Sequence, residues 1–145
     1  MIEIRKISAE QTFAVRHPVL RKGKPIESCH FDGDDLGTTQ HFGLYEFNKI
    51  EGVISLFENN NPLFEDKHQG QIRGMAVLEN NQGKGFGRQL VEHSEKVMKL
   101  QNVSLIWFNA REKAVGFYQK MGYEIVGNSF KIPDVGIHYV MWKNL

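Results

Sequence analysis

The chain has 145 residues, 41% of them apolar and 24% charged, the make-up of an ordinary globule able to bury about two-thirds of its unfolded surface without covalent staples. Lysine and arginine number 18 against 17 acidic residues, so no excess of basic charge marks a nucleic-acid partner. The single cysteine, Cys29, excludes an internal disulfide and a zinc site built on cysteines, and no metal is expected. The start, MIEIRKISAE, has no apolar signal region, and no run approaches the roughly 18 residues that span a bilayer. The expectation is a single cytoplasmic domain over residues 1–145 with no membrane partner; a homodimer is left open.

Ile2 and Ile4 alternate with Glu3 and Arg5, as in a short first strand. Ser8-x-x-Gln11 is a capping-box pattern that starts a helix, and His17-Pro18 is expected to interrupt it. From Val19 to Gln40 the pattern is loop, with Gly23, Pro25, Gly33, Gly37 and the acidic residues Asp32, Asp34 and Asp35. A loop of that length inside a compact domain suits a binding loop or lid. His41 to Phe47 and Gly52 to Glu58 read as a hairpin, broken afterwards by Asn59-Asn60-Asn61-Pro62. A strand over Gln71 to Leu78 precedes a helix between Phe86 and Leu100, where Leu90, Val91, Val97 and Met98 recur at helical spacing. Val103 to Phe108 is apolar enough for a strand buried on both faces. A helix over Glu112 to Met121, a strand over Tyr123 to Gly127 and a last strand over His138 to Lys143 complete the chain. Strand, helix, strand forces one parallel pair. The expected fold is therefore α/β, a mixed and mainly antiparallel sheet with one parallel junction, flanked by helices.

Chemistry concentrates at Gln71 to Gly87, QIRGMAVLENNQGKGFG, where a strand passes through a glycine-rich turn into a helix. Gly83, Gly85 and Gly87 let backbone approach a bulky group, and the first amides of a helix have no partner of their own. With Lys84 and Arg88 beside them, these donors suit an anion. The dinucleotide fingerprint fails, because Arg88 stands where its third glycine belongs, and no P-loop pattern occurs in the chain. What remains, Gln82-x-x-Gly85-x-Gly87, resembles the acyl-CoA pyrophosphate loop of the GNAT N-acetyltransferase superfamily. The run Ile106 to Tyr123, IWFNAREKAVGFYQKMGY, resembles the second half of the same core, which ends in A-x-x-F-Y-x-x-x-G-(F/Y). The match is good from about Ile50 to Lys143. One departure is Arg111 where many members have Asn, with Asn109 two residues earlier, as in a W-x-N-A-R subgroup of uncharacterised bacterial enzymes.

This resemblance implies a GNAT-like fold and an acetyl-CoA-dependent N-acetyltransferase that transfers directly to an amine, of a small molecule in the preferred reading. It implies that main-chain groups of Met75, Ala76 and Val77 pair with the pantetheine arm and offer an N–H to the thioester oxygen. By the same resemblance Gln82, Gly83, Lys84, Gly85, Phe86, Gly87 and Arg88 hold the pyrophosphate, Asn109 contacts the pantetheine, and Tyr118 is the general acid beside the sulfur. Packing is the plain alternative for the side chains of Met75 and Val77, and capping for Asn109. Two rival functions stand beside the small-molecule enzyme: a CoA-binding regulatory module without turnover, and an acetyltransferase of protein N-termini or lysines. On the acceptor side, Arg73, His41 and His138 are candidates by position. The acidic run suits a cationic amine, whereas Arg16, Arg21 and Arg73 suit a carboxylate, and the sequence does not choose between them.

Overall fold

The computed structural model describes residues 1–145. Ser8 and Gln11 exchange reciprocal capping bonds, Ser8 N–H donating to Gln11 Oε1 at 2.8 Å and Gln11 N–H to Ser8 Oγ at 3.2 Å. A 3-10 turn at Glu10–Thr12 leads into helix α1, Phe13–Leu20. The helix passes through Pro18 and does not stop at His17 as expected. Proline forfeits one backbone bond, but the buried Val15 and Arg16 hold the helix against the sheet, and Arg21 N–H closes it on the carbonyls of Arg16 and His17.

Seven strands form one sheet. They are β1 Ile2–Ile7, β2 Gln40–Glu46, β3 Lys49–Glu58, β4 Gln69–Val77, β5 Leu105–Arg111, β6 Glu124–Ile132 and β7 Gly136–Asn144, in spatial order β1-β2-β3-β4-β5-β7-β6. Every neighbouring pair is antiparallel except β4 with β5. The β2–β3 hairpin turns on Phe47 and Asn48, both at positive φ, as a tight primed turn requires. Helix α2, Phe86–Leu100, crosses from β4 to β5 and buries Phe86, Leu90, Val91 and Met98 on one face of the sheet. These pack with Leu44, Ile54, Leu56, Ile72, Ile106, Phe108 and Met141 in the main core, where the short helix α3, Val115–Gln119, adds Tyr118. On the other face Val15 of α1 packs on Val53 and Ala76. Farther along that face Leu105, Trp107 and Val140 are covered by Phe64, Phe130 and Trp142, and Trp107 Nε1 donates to Asn59 O at 2.8 Å. Trp107 and Trp142 are register partners across β5 and β7.

Several boundaries differ from the sequence expectations. β5 runs to Arg111, so Asn109, Ala110 and Arg111 are strand residues paired with Val140, Tyr139 and His138. β6 continues to Ile132 past a bulge between Val126 and Phe130, and polar residues on its exposed outer edge hide it in the sequence. The helix expected over Glu112 to Met121 is a 3-10 turn, Glu112–Ala114, followed by the single turn and a half of α3. No helix is long and apolar enough to cross a membrane.

A buried ion pair holds α1 and its following loop to the sheet. Arg16 donates through Nη1 to Asp34 Oδ2 at 2.6 Å and to Cys29 O at 2.8 Å, and through Nη2 to Asp34 Oδ1 at 3.2 Å and Ser55 Oγ at 2.9 Å. Both side chains are fully buried. Burial works to raise the Asp34 carboxyl, but the Arg16 hydrogen bonds, the Phe31 N–H and the Arg16 charge outweigh it and hold the group below its ordinary value. A folded-state value below the unfolded one supplies stability that is present above the unfolded range, about pH 4, and is lost as pH falls through the folded value. Asp34→Asn removes this contribution and strands the Arg16 charge. Urea unfolding at pH 7 should show a loss of about 3–5 kcal/mol, with a flatter acid limb than wild type; a loss under about 1 kcal/mol would mean the pair is not the anchor.

Candidate active site

The parallel pairing of β4 with β5 lasts only for Gln69 with Leu105, Gly70 with Ile106 and Gln71 with Trp107. Beyond those residues the strands diverge, and a cleft of about 910 Å³ opens between them. Its walls include Ile72 to Val77 of β4, Phe108 to Arg111 of β5, the loop before α2, and Phe117 and Tyr118 of α3. A sheet opened in this way leaves strand edges whose N–H and C=O groups no neighbouring strand satisfies, so an extended ligand with amide groups can take the place of a strand.

A bulge shapes the β4 wall. Ser55 pairs with Arg73 and Val53 with Ala76, so Gly74 and Met75 together face Ile54 alone. Gly74 has φ +63, and a Cβ there would stand 3.0 Å from the Phe31 ring and 3.2 Å from Arg16 Nε. The bulge re-aims the backbone at Met75, Ala76 and Val77, all of which line the cleft. The Ala76 and Val77 side chains are buried in the two cores, while Met75 is half-buried and packs against the main core.

At the mouth lies the loop before α2. Gly83 has φ +86 and Gly85 φ +84, and a Cβ at either would meet no protein atom within 4 Å. The backbone N–H groups from Gly83 to Arg88 donate to nothing in the protein, because the first bond of the helix is Gln89 N–H to Gly85 O at 3.1 Å. Such a cluster of free donors on a helix N-terminus attracts anions. The loop is tied down from behind. Gln82 Nε2 donates to Val77 O at 3.0 Å, Asn81 Nδ2 to the buried Glu51, and Lys84 Nζ to Asn81 Oδ1 at 2.7 Å. The Lys84 ammonium is therefore turned toward Asn81 and Glu46 and does not line the cleft, contrary to the sequence expectation. Arg88 does line it, with only a loose, exposed contact of 3.8 Å to Glu92. Gly87 has an ordinary helical backbone, and a Cβ there would make normal contacts with Met75 and Phe117.

Tyr118 lies at the inner end, packed on Phe108 with centroids 4.3 Å apart and on Phe117 at 5.0 Å. Its hydroxyl has no partner in the protein, and burial pushes it up to about 12. Tyr123 differs: its hydroxyl donates to Glu95 Oε2 at 2.8 Å, and Lys143 Nζ meets the same oxygen at 3.0 Å, which locks α2 to β7. Asn109 stands exposed on the β5 wall with no side-chain hydrogen bond, so it caps no helix. His138 is buried at the cleft wall; its Nδ1 donates to Gly136 O at 2.9 Å, and its Nε2 makes no hydrogen bond within the protein.

His41 does not belong to this constellation. Its Nδ1 lies 2.6 Å from Ser55 Oγ and its Nε2 3.0 Å from Asp34 O, which commits both nitrogens to the network under the bulge and corrects the expectation of a substrate contact. Arg73 does reach the cleft, together with Arg21 and Phe31, which come from the end of α1 and the loop after it. Arg21 was among the three arginines weighed for a carboxylate, whereas Phe31 has no local signal in the sequence; the packing of the loop on β4 brings both there.

The cleft is that of an acyltransferase. The model of the acetyltransferase (GNAT) family matches residues 3–123, and the chain belongs to that family. It is 33% identical over 145 residues to YitI of Bacillus subtilis (strain 168), described as an uncharacterized N-acetyltransferase; the alignment covers 100% of this chain and 97% of that protein. Among solved structures, an aminoglycoside 6'-N-acetyltransferase complexed with coenzyme A superposes with a TM-score of 0.77 at 13% identity, covering 98% of this chain and 96% of that one. The ribosomal-protein-S18-alanine N-acetyltransferase of Escherichia coli superposes with a TM-score of 0.76 at 15% identity, covering 99% and 94%. At such identities the two structures share the fold with this chain, and their acceptors are a small molecule in one case and a protein in the other.

Gly85→Asn tests the anion loop, because Asn tolerates a left-handed backbone while its side chain enters the space in front of the free amides. Its thermal stability should stay near wild type, and calorimetry should show acetyl-CoA binding weakened by about tenfold or more. Unchanged affinity in the folded variant would remove the loop from the binding site.

Proposed function

We propose that the protein transfers the acetyl group of acetyl-CoA directly to an amine of a small molecule in the cytoplasm. The observation that carries this reading is the opening between β4 and β5, with free amides at its mouth and a partnerless phenol at its inner end. In it, the amides from Gly83 to Arg88 bind the pyrophosphate, and the edges of β4 and β5, with the Asn109 side chain, bind the pantetheine arm. Main-chain N–H groups at Met75 to Val77 donate to the thioester oxygen as it gains charge, which is where fixed donors lower a barrier most. Tyr118 delivers a proton to the departing thiolate. Nε2 of His138 is the group suited to take a proton from the incoming amine.

The small-molecule acceptor is favoured over a peptide because the loop after α1 and the β6–β7 turn both contribute to the cleft wall, through Phe31 and Val135. An open peptide groove would leave that side clear. Thiol release from acetyl-CoA, measured across amines, amino acids, aminoglycosides and peptides, tests the proposal. Release with a free amine supports it, release with peptides alone favours the protein-modifying alternative, and tight CoA binding with no release favours a regulatory module.

With its hydroxyl pushed up to about 12, Tyr118 stays protonated through the usual assay range, and it should place no alkaline limb on kcat below about pH 10. Tyr118→Phe keeps the ring and its packing and removes only the hydroxyl. kcat should fall by about 10²-fold with acetyl-CoA affinity nearly unchanged. Wild-type kcat in this variant, where chemistry limits turnover, would assign the proton to solvent.

A further inference from the structure

The part of the cleft formed by α1, the loop after it and β4 holds more positive charge than the protein neutralises. Arg21 and Arg73 both line the cleft, both are partly buried, and neither forms an ion pair. Their hydrogen bonds go to main-chain carbonyls: Arg73 Nη1 to Asp32 O at 3.1 Å, Arg21 Nε to Ser28 O at 3.2 Å and Arg21 Nη1 to Leu20 O at 3.1 Å. The guanidinium carbons of Arg21 and Arg73 lie 4.9 and 5.3 Å from the centre of the Phe31 ring, with Arg16 against the same ring at 3.9 Å. Three cations around one aromatic ring need counter-charge, and little is left. Asp34 is committed to Arg16, Asp35 to His30 at 2.8 Å, and Asp32 is exposed and meets Arg73 only through its carbonyl. Loss of solvent holds Arg73 below its ordinary value, and although Asp34 and Asp32 oppose this, Arg16 and Arg21 push the same way.

Of the acidic run that could have drawn a cationic acceptor, Asp34 is thus spent on Arg16 and Asp35 on His30, Asp32 turns only its carbonyl to Arg73, and the cations remain at the wall. A polycationic acceptor would meet repulsion there, whereas a carboxylate would relieve it and fit the planar donor fork of an arginine. Beside the two arginines the wall is apolar, with Val19, Leu20 and Phe31. Taking the acetyltransferase reading above as its basis, we infer that the acyl acceptor is an amine that also carries a carboxylate, an amino acid, held by Arg21 and Arg73 with its hydrocarbon part against Phe31. Arg73 immediately precedes the bulge at Gly74, so a group it holds lies next to the backbone that faces the thioester.

The test is thiol release from acetyl-CoA with matched acceptors: each L-amino acid, its C-terminal amide, the corresponding decarboxylated amine, and phosphoethanolamine. At least one acid should exceed its own amide and amine in kcat/KM by on the order of 10²-fold. Arg73→Gln should bring that ratio toward one mainly through KM for the acid, and Arg73→Lys should retain part of it. Arg21→Gln is the second variant, and calorimetry of acetyl-CoA binding shows that each variant is folded. Amides or amines used as well as the acids, a preference for phosphoethanolamine, or a ratio that survives both glutamine variants would each overturn the inference while leaving an acetyltransferase in place. Release with no acceptor at all would overturn the acetyltransferase reading and this inference with it.

Discussion

Two parallel strands that pair for three residues and then separate create every feature of the cleft. Before the point of parting, Gln69 to Gln71 lie beside Leu105 to Trp107 as in any buried parallel pair; after it, both strands present unsatisfied edges. A protein cannot leave such edges facing each other across an apolar gap without cost, and the sheet tolerates it here because α2 and α3 close one face and the cleft stays open to solvent at its mouth. The opening is thus a property of topology. α2 crosses over the main core while its N-terminus follows β4, which places the free amides at the mouth of the gap, and α3, which follows β5, packs Tyr118 on Phe108, the first β5 residue past the parting.

The bulge in β4 converts this gap into a directed site, and the Arg16–Asp34 pair backs it. Gly74 tolerates the left-handed backbone, and its missing Cβ leaves room for Arg16 and Phe31 immediately behind. Arg16 Nε is buried there without a partner, a cost the fold carries while the rest of the guanidinium is fully engaged. A buried ion pair gives little net stability when weighed against an apolar replacement. What it provides here is position: one side chain ties α1, the loop carrying Cys29 and Asp34, and Ser55 of β3 to the back of the bulge. His41 extends the same network across β2.

Much of the architecture was legible because it is local. The bounds of α2 follow from its apolar spacing and the glycines before it, the β2–β3 hairpin from two strand-like runs, and the single parallel junction from strand, helix, strand. The glycine turn and its free amides were legible for the same reason, since the glycines and the helix they open are contiguous. The failures have physical causes as well. Asn109 and Arg111 read as the end of β5 because they are polar, but they face an open cleft where a strand residue need not be apolar. Arg16 read, with Arg21 and Arg73, as a cation suited to a carboxylate acceptor, yet it is fully buried, because Asp34, eighteen residues later, supplies its counter-charge and Cys29 O and Ser55 Oγ complete its acceptors. The arginine wall was undecidable in the sequence, where acidic and basic residues in one loop pointed to opposite acceptors. Pairing within the fold committed Asp34 and Asp35 to Arg16 and His30 and left Arg21 and Arg73 without an ion pair at the wall.

The two tryptophans of the chain, Trp107 and Trp142, are register partners at the vertex where β4 and β5 part, and Trp107 is also the last residue of β5 to pair with β4. All tryptophan emission from the protein therefore originates at the hinge of the gap. Whatever wedges the strands farther apart or draws them together alters the packing of those indoles against Phe64 and the bond from Trp107 to Asn59, so the molecule carries its own optical gauge of how wide the sheet stands open.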